Sequence, residues 1–406
     1  MGTDSKNIIV MKFGGTSVAD TQKINNVAQK AIKAKAQGKH VVVTVSAMGS
    51  TTDDLISLSR QITDNPSRRE MDMLLSTGEQ VSIALLSMAI GEQGHSCVSL
   101  TGNQAGIFTD DIFSNAKILS INAKRILKEI KEGKIIIVAG FQGISTDNNI
   151  TTLGRGGSDT TAVALAAALE AKYCEIYTDV EGVYTTDPNI VPEARKIQSL
   201  SYDEMLELAS SGAKVLHLRA VEFAKKNDVV LHVRSSFNDI EGTWVMDFKD
   251  EKMERPVITG VSYDNNQVKI TVFGLKDEPG IAADLFGQLA EENINVDLIV
   301  QNVSEKNIAT ITFTVMEEDI KIVQRIIAGA GYGNISVDPE VGKVSIVGAG
   351  MQIHPGIAAR MFKFLGREGI NIEMISTSPI RISCVVRKSK VKQAVRALHK
   401  GFELEK

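Results

Sequence analysis

The first 245 residues alternate short β-branched apolar runs with Ala-rich or amphipathic stretches, and this alternation constrains the fold most strongly. Buried strands are predicted by the apolar runs at 8–13, 41–45, 135–139, 175–177 and 229–233. Helices are predicted between them, at 23–36, 78–91, 115–132, 159–171, 202–210 and 215–226. Such alternation produces a mainly parallel sheet covered by helices on both faces. We therefore predict an α/β domain over 1–245, with ligands beyond the carboxyl ends of its strands.

The C-terminal part contains an internal repeat. Pro-Gly-Ile-Ala-Ala begins at Pro279 and again at Pro355, and Ile-Asn-Val at Ile294 matches Ile-Asn-Ile at Ile370, both 76 residues apart. Each copy has the pattern strand, Pro-Gly turn, helix, strand, strand, helix. Two copies indicate tandem domains, because a solenoid needs about three or more repeats. We place these domains at 264–338 and 339–406, after a linker at 246–263.

Composition excludes several other classes of protein. Lys and Arg number 45 against 49 Asp and Glu, and this mild balance argues against a nucleic-acid or membrane-surface partner. No apolar run approaches the ~18 residues of a membrane helix, and no signal-peptide pattern is present. The three cysteines are scattered and the six histidines show no ligand spacing, which argues against a disulfide scaffold or a metal site. We expect a cytoplasmic, multi-domain protein whose histidines are surface or packing residues.

Two loops of small residues follow predicted strands. Residues 12–17 read Lys-Phe-Gly-Gly-Thr-Ser, whose glycine N–H groups could approach phosphate oxygens while Lys12 neutralises their charge. A Gly-Gly pair alone is more often a plain tight turn. Residues 46–49 read Ser-Ala-Met-Gly, which indicates a polar substrate site or a helix N-cap equally well.

The loop at 153–160, Leu-Gly-Arg-Gly-Gly-Ser-Asp-Thr, is a stronger signal. Its three glycines precede an Ala-rich helix whose N-terminus could face an anion. Arg155 there suits bidentate capture of a carboxylate, the alternative being a capped helix start with a solvated Arg. Glu79 either complements a helix dipole or receives a substrate ammonium. The segment 178–188 could meet a nucleotide, although its Asp-Pro is also a turn signal.

Taken together, these motifs closely resemble the aspartokinases of the amino-acid kinase family. The matching segments, in family order, are 12–17, Val-Ser-Ala-Met-Gly at 45–49, Thr-Thr-Asp at 51–53, Ser-Thr-Gly-Glu at 76–79, Ala-Gly-Phe-Gln-Gly at 139–143, 151–160 and 177–188. The tandem repeat resembles two ACT domains, which are amino-acid-sensing modules. The resemblance implies an amino-acid kinase fold, with a mainly parallel sheet sandwiched by helices, plus two α+β ACT domains of the βαββαβ ferredoxin-like type.

The resemblance also implies a reaction, in which the γ-phosphoryl group of ATP with Mg²⁺ passes to the side-chain carboxylate of L-aspartate. The acceptor carboxylate has a reference pKa of about 3.9 and needs no general base, so positioning and positive charge would supply the catalysis. Catalytic roles are implied for Lys12, Arg155 and Asp159, with Asp159 orienting Lys12. An ATP site is implied at Lys12, Phe13, Gly14, Gly15, Ser46, Thr178, Asp179, Tyr184, Thr185, Thr186, Asp187, Pro188 and Lys214. An aspartate site is implied at Thr52, Glu79, Arg155, Gly156, Gly157 and Ser158.

The resemblance makes this reaction the first step of lysine, threonine and methionine biosynthesis. The ACT domains then imply feedback inhibition by lysine, threonine or both, which are end products of that pathway. Pairing of ACT edges implies a homodimer or homotetramer, and a strand at 257–262 is expected to pair into the second ACT domain. An effector site is implied at Asp277, Gly280, Ile281, Ala282, Gln301 and Asn302.

Other readings of the sequence compete with this one. A kinase of glutamate, acetylglutamate or a nucleotide monophosphate is disfavoured by the two ACT-like repeats. A catalytically silent amino-acid sensor is disfavoured because Lys12, Glu79, Arg155 and Asp159 are all present. The choice of effector, the choice between dimer and tetramer, and an internal start at Met246 or Met253 stay open.

Overall fold

The computed structural model describes residues 7–213, 215–248, 256–303, 308–332 and 334–406, and these divide into two compact units. The first unit comprises 7–183, 196–209 and 215–248 of the described residues. The second comprises 184–195 and 210–213 together with the described residues from 256 onwards. Two segments of the predicted 1–245 domain therefore belong to the second unit. Lys214 and Met253 lie outside the described residues.

The first unit is an α/β domain. Its strands are β1 (Ile8–Phe13), β2 (His40–Val45), β3 (Cys97–Leu100), β4 (Ile107–Thr109), β5 (Ile118–Ile121), β6 (Ile135–Ala139), β7 (Gln142–Ile144), β8 (Ile150–Thr152), β9 (Tyr173–Thr178), β10 (Ser199–Leu200), β11 (Leu231–Ser235) and β12 (Thr243–Val245). Its helices are α1 (Thr21–Ala36), α2 (Thr51–Arg60), α3 (Arg68–Glu92), α4 (Lys124–Lys131), α5 (Gly157–Ala168), α6 (Tyr202–Ser210) and α7 (Leu218–Lys226).

The main sheet has eight strands in the order β10-β12-β11-β9-β1-β2-β6-β3. Its neighbouring strands are parallel except for the antiparallel pair β11–β12. The predicted mainly parallel α/β architecture is confirmed. A smaller four-stranded sheet, in the order β5-β4-β7-β8, accompanies it.

The central strand β1 is buried on both faces because helices cover both sides of the sheet. Ile9, Met11 and Phe13 pack into a core shared with α1 and α3. The alternate positions, including Lys12, point to the opposite face, where α5 contacts β1, β2 and β9. This alternation brings Lys12 to the face on which the 153–160 loop enters its helix.

The predicted helix at 115–132 is wrong over its first half. Ile118–Ile121 forms strand β5, which pairs antiparallel with β4, and only Lys124–Lys131 is helical. The β-branched residues Ile118 and Ile121 suit a strand, and pairing with β4 satisfies the backbone groups that a helix would have used. The predicted helix at 215–226 begins later, at Leu218.

Helix α3 begins at Arg68, ten residues before its predicted start at 78. Its 25 residues meet the length and composition criteria for a membrane span, contrary to the expectation that no segment would. Core helices of globular proteins meet the same criteria, and α3 packs Ile83, Leu86 and Ile90 into the core of the first unit.

The second unit contains the two repeats. Its strands are β13 (Gly260–Asp264), β14 (Gln267–Lys276), β15 (Ile299–Val303), β16 (Ile308–Met316), β17 (Asn334–Asp338), β18 (Val341–Val347), β19 (Met374–Ser378) and β20 (Arg381–Arg387). Its helices are α8 (Ile281–Glu291), α9 (Ile320–Gly329), α10 (Ile357–Arg367) and α11 (Val391–Gly401). The strands form two four-stranded antiparallel sheets, β15-β16-β14-β17 and β13-β18-β20-β19, and each sheet shares a core with two helices.

The two copies use the same turn. Gly280 and Gly356 precede α8 and α10 with φ of 105° and 88°, a left-handed conformation that favours glycine. The fourth strand of each sheet comes from a different place in the chain. In the first copy β17 follows the second helix and pairs with β14, whereas in the second copy β13 precedes both repeats and pairs with β18. The strand expected at 257–262 thus lies at Gly260–Asp264.

Candidate active site

The loops after β1 and β2 meet at the carboxyl edge of the main sheet. The N–H of Ser46 donates to the carbonyl of Phe13 (3.1 Å), and the N–H of Gly49 donates to the carbonyl of Gly15 (3.1 Å). A Cβ on Gly15 would lie 2.9 Å from the carbonyl oxygen of Ala47, so this close approach requires glycine. Two loops that the sequence marked separately therefore form one continuous surface.

Lys12 forms an ion pair with Asp159, a residue in the first turn of α5. The two side chains are 12% and 13% exposed, so the pair is largely shielded from water. The Nζ atom of Lys12 lies 3.5 Å from the position that a Cβ on Gly14 would take. The cation is therefore held beside the glycine loop, where a phosphate could reach both.

Glu79 is a buried carboxylate with one oxygen unused. Its Oε1 accepts a hydrogen bond from the N–H of Ala47 (3.0 Å), while Oε2 has no hydrogen-bond partner among the described residues. Burial raises the pKa of Glu79 from 4.5 to about 7. Thr52 lies in the first turn of α2, which packs against the helix that carries Glu79. A buried carboxylate with a vacant acceptor suits a cationic group of a ligand.

The loop between β8 and α5 runs beside these groups. A Cβ on Gly140, the residue after β6, would lie 2.7 Å from the Oγ of Ser158, so Ser158 sits at the carboxyl end of β6. Gly157 begins α5, and Arg155 is exposed at the loop. The structure thus brings Lys12, Glu79 and the 154–158 loop to the same edge of the sheet.

His217 also adjoins this loop, although the sequence indicated only a surface or packing residue. A Cβ on Gly156 would collide with its imidazole ring, and its Nδ1 is buried with no hydrogen-bond partner among the residues described. Burial lowers the pKa of His217, while the nearby Asp159 carboxylate raises it. The sequence contained no signal for a role of His217 at the site, because no second histidine lies at the spacing of a metal-binding pair.

Asp72 is a second residue that sequence reasoning missed. Its carboxylate is fully buried and is hydrogen-bonded to the main chain and hydroxyl groups of Ser114 and Thr152. Asp72 stands seven residues before Glu79 on α3, so both lie on one helix face two turns apart. Helix α3 also carries two other glutamates and several hydroxyl residues, so no sequence signal singled out Asp72.

The expected nucleotide residues divide between the two units. Thr178 ends β9, the neighbour of β1, and Asp179 follows it; the Thr178 hydroxyl donates to Asp179 Oδ1 (3.0 Å). Phe13 stacks on Tyr177 with ring centroids 4.4 Å apart. The Ser17 hydroxyl hydrogen-bonds that of Ser236 (2.6 Å), a contact that no motif indicated. These residues lie at the edge that carries Lys12.

The segment 184–188, expected at the same nucleotide site, belongs to the second unit. The Thr185 hydroxyl is hydrogen-bonded to Nε2 of His399 (3.0 Å), and Asp187 accepts a hydrogen bond from the Tyr263 hydroxyl (2.9 Å). Thr186 is buried, while Pro188 is exposed. The side chains of Thr185 and Asp187 thus have partners within the second unit. The predicted nucleotide role of 184–188 stays a prediction.

The expected effector residues lie in the first repeat. Asp277 and Gly280 belong to the turn between β14 and α8, and Ile281 and Ala282 form the first turn of α8. Gln301 and Asn302 are exposed in the middle of β15, an edge strand. No described group of three or more His, Cys, Asp or Glu side chains is arranged to hold a metal ion.

Comparison with known proteins places this site in a family. The amino acid kinase family matches residues 7–235, and ACT domains match residues 269–329 and 344–402. An aspartate kinase of Stutzerimonas stutzeri is 49% identical over 402 residues, 98% of each chain. The structure of E. coli aspartokinase III in complex with aspartate and ADP has a TM-score of 0.83 at 28% identity, covering 97% of this chain and 99% of that one.

A second structure of E. coli aspartokinase III, in complex with lysine and aspartate, has a TM-score of 0.77 at 27% identity and covers 98% of this chain and 100% of that one. The amino acid kinase match spans more than half of the chain, and the similarity to named aspartokinases extends over almost its full length. The chain therefore belongs to the aspartokinases, enzymes that combine an amino acid kinase domain with two ACT domains.

Proposed function

We propose that this aspartokinase converts ATP and L-aspartate into ADP and 4-phospho-L-aspartate, the first step of lysine, threonine and methionine biosynthesis. The observation that carries the proposal is the shielded Lys12–Asp159 ion pair beside the glycine loop. A side-chain carboxylate oxygen of aspartate attacks the γ-phosphorus of ATP, the bond to the β-phosphate oxygen breaks, and ADP leaves with that electron pair. The attacking group is already ionised, so no side chain has to remove a proton.

The main barrier is the approach of an anion to a polyanion. Lys12 would stabilise the charge on the transferred phosphoryl group, and Asp159 would hold its Nζ in place. The N–H groups of Gly14 and Gly15 would bind phosphate oxygens beside it. Mg²⁺ bound to ATP would neutralise further charge, and the glycine loop with its adjacent lysine suits such a polyphosphate.

Aspartate would be recognised by charge at both ends of its backbone. The vacant oxygen of Glu79 would accept the α-ammonium, and Arg155 would bind the α-carboxylate. Thr52, Gly156, Gly157 and Ser158 would complete the site. The nucleotide would contact Phe13, Ser46, Thr178 and Asp179, and for 184–188 and Lys214 the proposal rests on the resemblance to aspartokinases.

We further propose that lysine, threonine or both inhibit the enzyme at the first ACT domain, through the turn Asp277–Ala282 and the strand positions Gln301 and Asn302. The complex of E. coli aspartokinase III with lysine and aspartate supports this class of effector. Strand β15 presents an edge, with Ile299 52% exposed, which could pair with a second copy in a cytoplasmic homodimer or homotetramer.

The test is ATP-dependent acyl-phosphate formation from L-aspartate, trapped with hydroxylamine, with glutamate as the control substrate. Product from aspartate that lysine or threonine suppresses would support the whole proposal. Product without suppression would retain the kinase activity and reject these effectors. Product from glutamate alone would favour a different amino-acid kinase, and absence of product from both would favour a silent sensor.

A further inference from the structure

We propose that Asp72 is a positioning residue for aspartate binding, because it fixes the base of the loop that carries Arg155. The inference rests on the proposed role of Arg155 in the capture of the substrate α-carboxylate. Asp72 itself is fully buried and cannot touch a ligand, so it acts through the main chain.

The carboxylate of Asp72 joins two separate segments of the chain. It accepts hydrogen bonds from the N–H of Thr152 (2.7 Å to Oδ2) and the Thr152 hydroxyl (2.7 Å to Oδ1). It also accepts the N–H of Ser114 (2.9 Å to Oδ2, 3.0 Å to Oδ1) and the Ser114 hydroxyl (3.2 Å). Both oxygens are therefore used, and every one of these donors belongs to Ser114 or Thr152.

A guanidinium holds the neighbouring residues of the same two segments. Arg219 donates from Nη1 to the carbonyl of Leu153 (2.6 Å) and from Nη2 to that of Ala116 (2.6 Å). The N–H of Ala116 donates to the carbonyl of Thr152 (2.9 Å). The pair of segments is thus clamped by a carboxylate from α3 at one end and by a guanidinium from α7 at the other.

The clamp leads directly into the substrate loop. Gly154 follows two residues after Thr152, and a Cβ on Gly154 would lie 3.0 Å from the carbonyl oxygen of Ser114. Ser114 has a φ of 68°, a left-handed conformation that a non-glycine residue keeps only when its surroundings hold it there. The hydrogen bonds from Ser114 to Asp72 stabilise this conformation. The carboxylate therefore fixes the position of the chain that leads to Arg155.

The position of Glu79 on the same helix as Asp72 predicts a specific effect on aspartate binding and not only a loss of stability. The same helix face carries Glu79, the proposed ammonium acceptor, two turns after Asp72. One rigid helix therefore holds the group for one charge of aspartate and, through Thr152 and Ser114, the loop for the other. A shift of the loop relative to α3 would change the separation of these two binding groups and weaken aspartate binding, without any direct effect on ATP.

The experiment compares Asp72→Asn, Thr152→Val and the wild-type enzyme in steady-state kinetics. Asparagine replaces one acceptor oxygen by a donor, and valine removes only the hydroxyl of Thr152 while keeping its shape. We expect the KM for aspartate to rise about tenfold and about threefold respectively, with the KM for ATP changed less than about twofold. Tyr202→Phe is the matched control, because it deletes a buried hydrogen bond to the Val229 carbonyl before β11, at the opposite edge of the sheet.

A double-mutant cycle with Arg155→Ala then tests the route of action. If Asp72 acts through Arg155, Asp72→Asn should change the KM for aspartate by less than about twofold once Arg155 is absent. Persistence of the full tenfold effect, or equal rises in both KM values, would overturn the inference. If Asp72→Asn does not fold, an unchanged KM for aspartate in Thr152→Val overturns it instead. An unchanged KM in Arg155→Ala alone would refute the proposed role of Arg155 itself.

Discussion

Glu79 makes aspartate binding depend on pH within the neutral range. Its pKa is raised to about 7 by burial, so the carboxyl group is largely protonated at pH 6 and largely ionised at pH 8. Only the ionised form attracts an ammonium group strongly. We therefore expect the KM for aspartate to fall as the pH rises from 6 to 8.

The size of this change in the KM for aspartate follows from the free energy needed to ionise Glu79 before the substrate binds. If binding requires the carboxylate, the apparent KM is multiplied by 1 + 10^(pKa − pH), which is about 11 at pH 6, about 2 at pH 7 and about 1.1 at pH 8. The expected change between pH 6 and pH 8 is thus about tenfold. The carboxylates and ammonium of free aspartate keep their charges over this interval, so the substrate does not produce this slope.

The assay is the initial rate of hydroxylamine-trapped product as a function of aspartate at saturating ATP, repeated at half-unit pH steps. Glu79→Gln is the matched variant, because glutamine fills the same space and does not titrate. Its KM for aspartate should be higher at pH 8 and nearly independent of pH. His217, whose pKa is lowered by burial, is present in both enzymes, so the difference between them isolates Glu79.

Two results would refute this reasoning. A KM for aspartate that stays constant from pH 6 to pH 8 in the wild type would show that the carboxylate does not bind the ammonium. The same slope in Glu79→Gln and the wild type would assign the pH dependence to another group. The KM for ATP, measured in parallel, separates a change in aspartate binding from general loss of the fold at either pH.

Three further predictions concern Lys12, the stability cost of Glu79 and the buried Lys343. Lys12→Ala should lower kcat about 10²–10³-fold with an unchanged circular dichroism spectrum, and near-normal single-turnover rates would remove Lys12 from the mechanism. Glu79→Gln should also stabilise the ligand-free fold: the folded-state pKa of about 7 lies above the ordinary 4.5, so the wild type loses about 3 kcal/mol as the pH rises through that interval. The gain should therefore appear in urea unfolding at pH 8 and vanish near pH 4.5, and equal gains at both would contradict the argument. Asp297→Ala removes the ion-pair partner of the fully buried Lys343 and should cost about 3–5 kcal/mol, which Asp297→Ala with Lys343→Met should largely restore. A loss below about 1 kcal/mol in urea unfolding would show that Lys343 finds another partner.

Two strands that are buried on both faces could be predicted to the residue, because such burial requires a continuous apolar run. Residues 8–13 and 135–139 coincide with β1 and β6, which are buried along almost all of their length. The half-exposed strand β5 carries no such signal, and its identity depends on pairing with β4, which lies nine residues earlier in the chain. Local periodicity favoured a helix there, but hydrogen bonding to β4 stabilises the strand instead.

The site could be predicted where a residue belongs to a loop with its own chemical pattern. The glycine loops could be recognised because close approach of the main chain to a ligand requires glycine. Arg155 could be recognised because anion binding requires a cationic side chain. Asp72 and His217 carry no such pattern, since each acts on a loop that the fold, not the sequence, brings beside it.

The internal repeat likewise predicted only part of the structure of the second unit. An offset of 76 residues predicts two equal modules, yet the pattern alone does not say which strand completes each sheet. In the second module the helix α11 ends at Gly401, and the edge position that β17 fills in the first module is taken by β13 from before the first repeat. The first repeat is therefore inserted between a strand of the second module and the remainder of that module. The second module is therefore not a consecutive segment, because the edge of β18 is covered only when the chain on both sides of the first repeat is present.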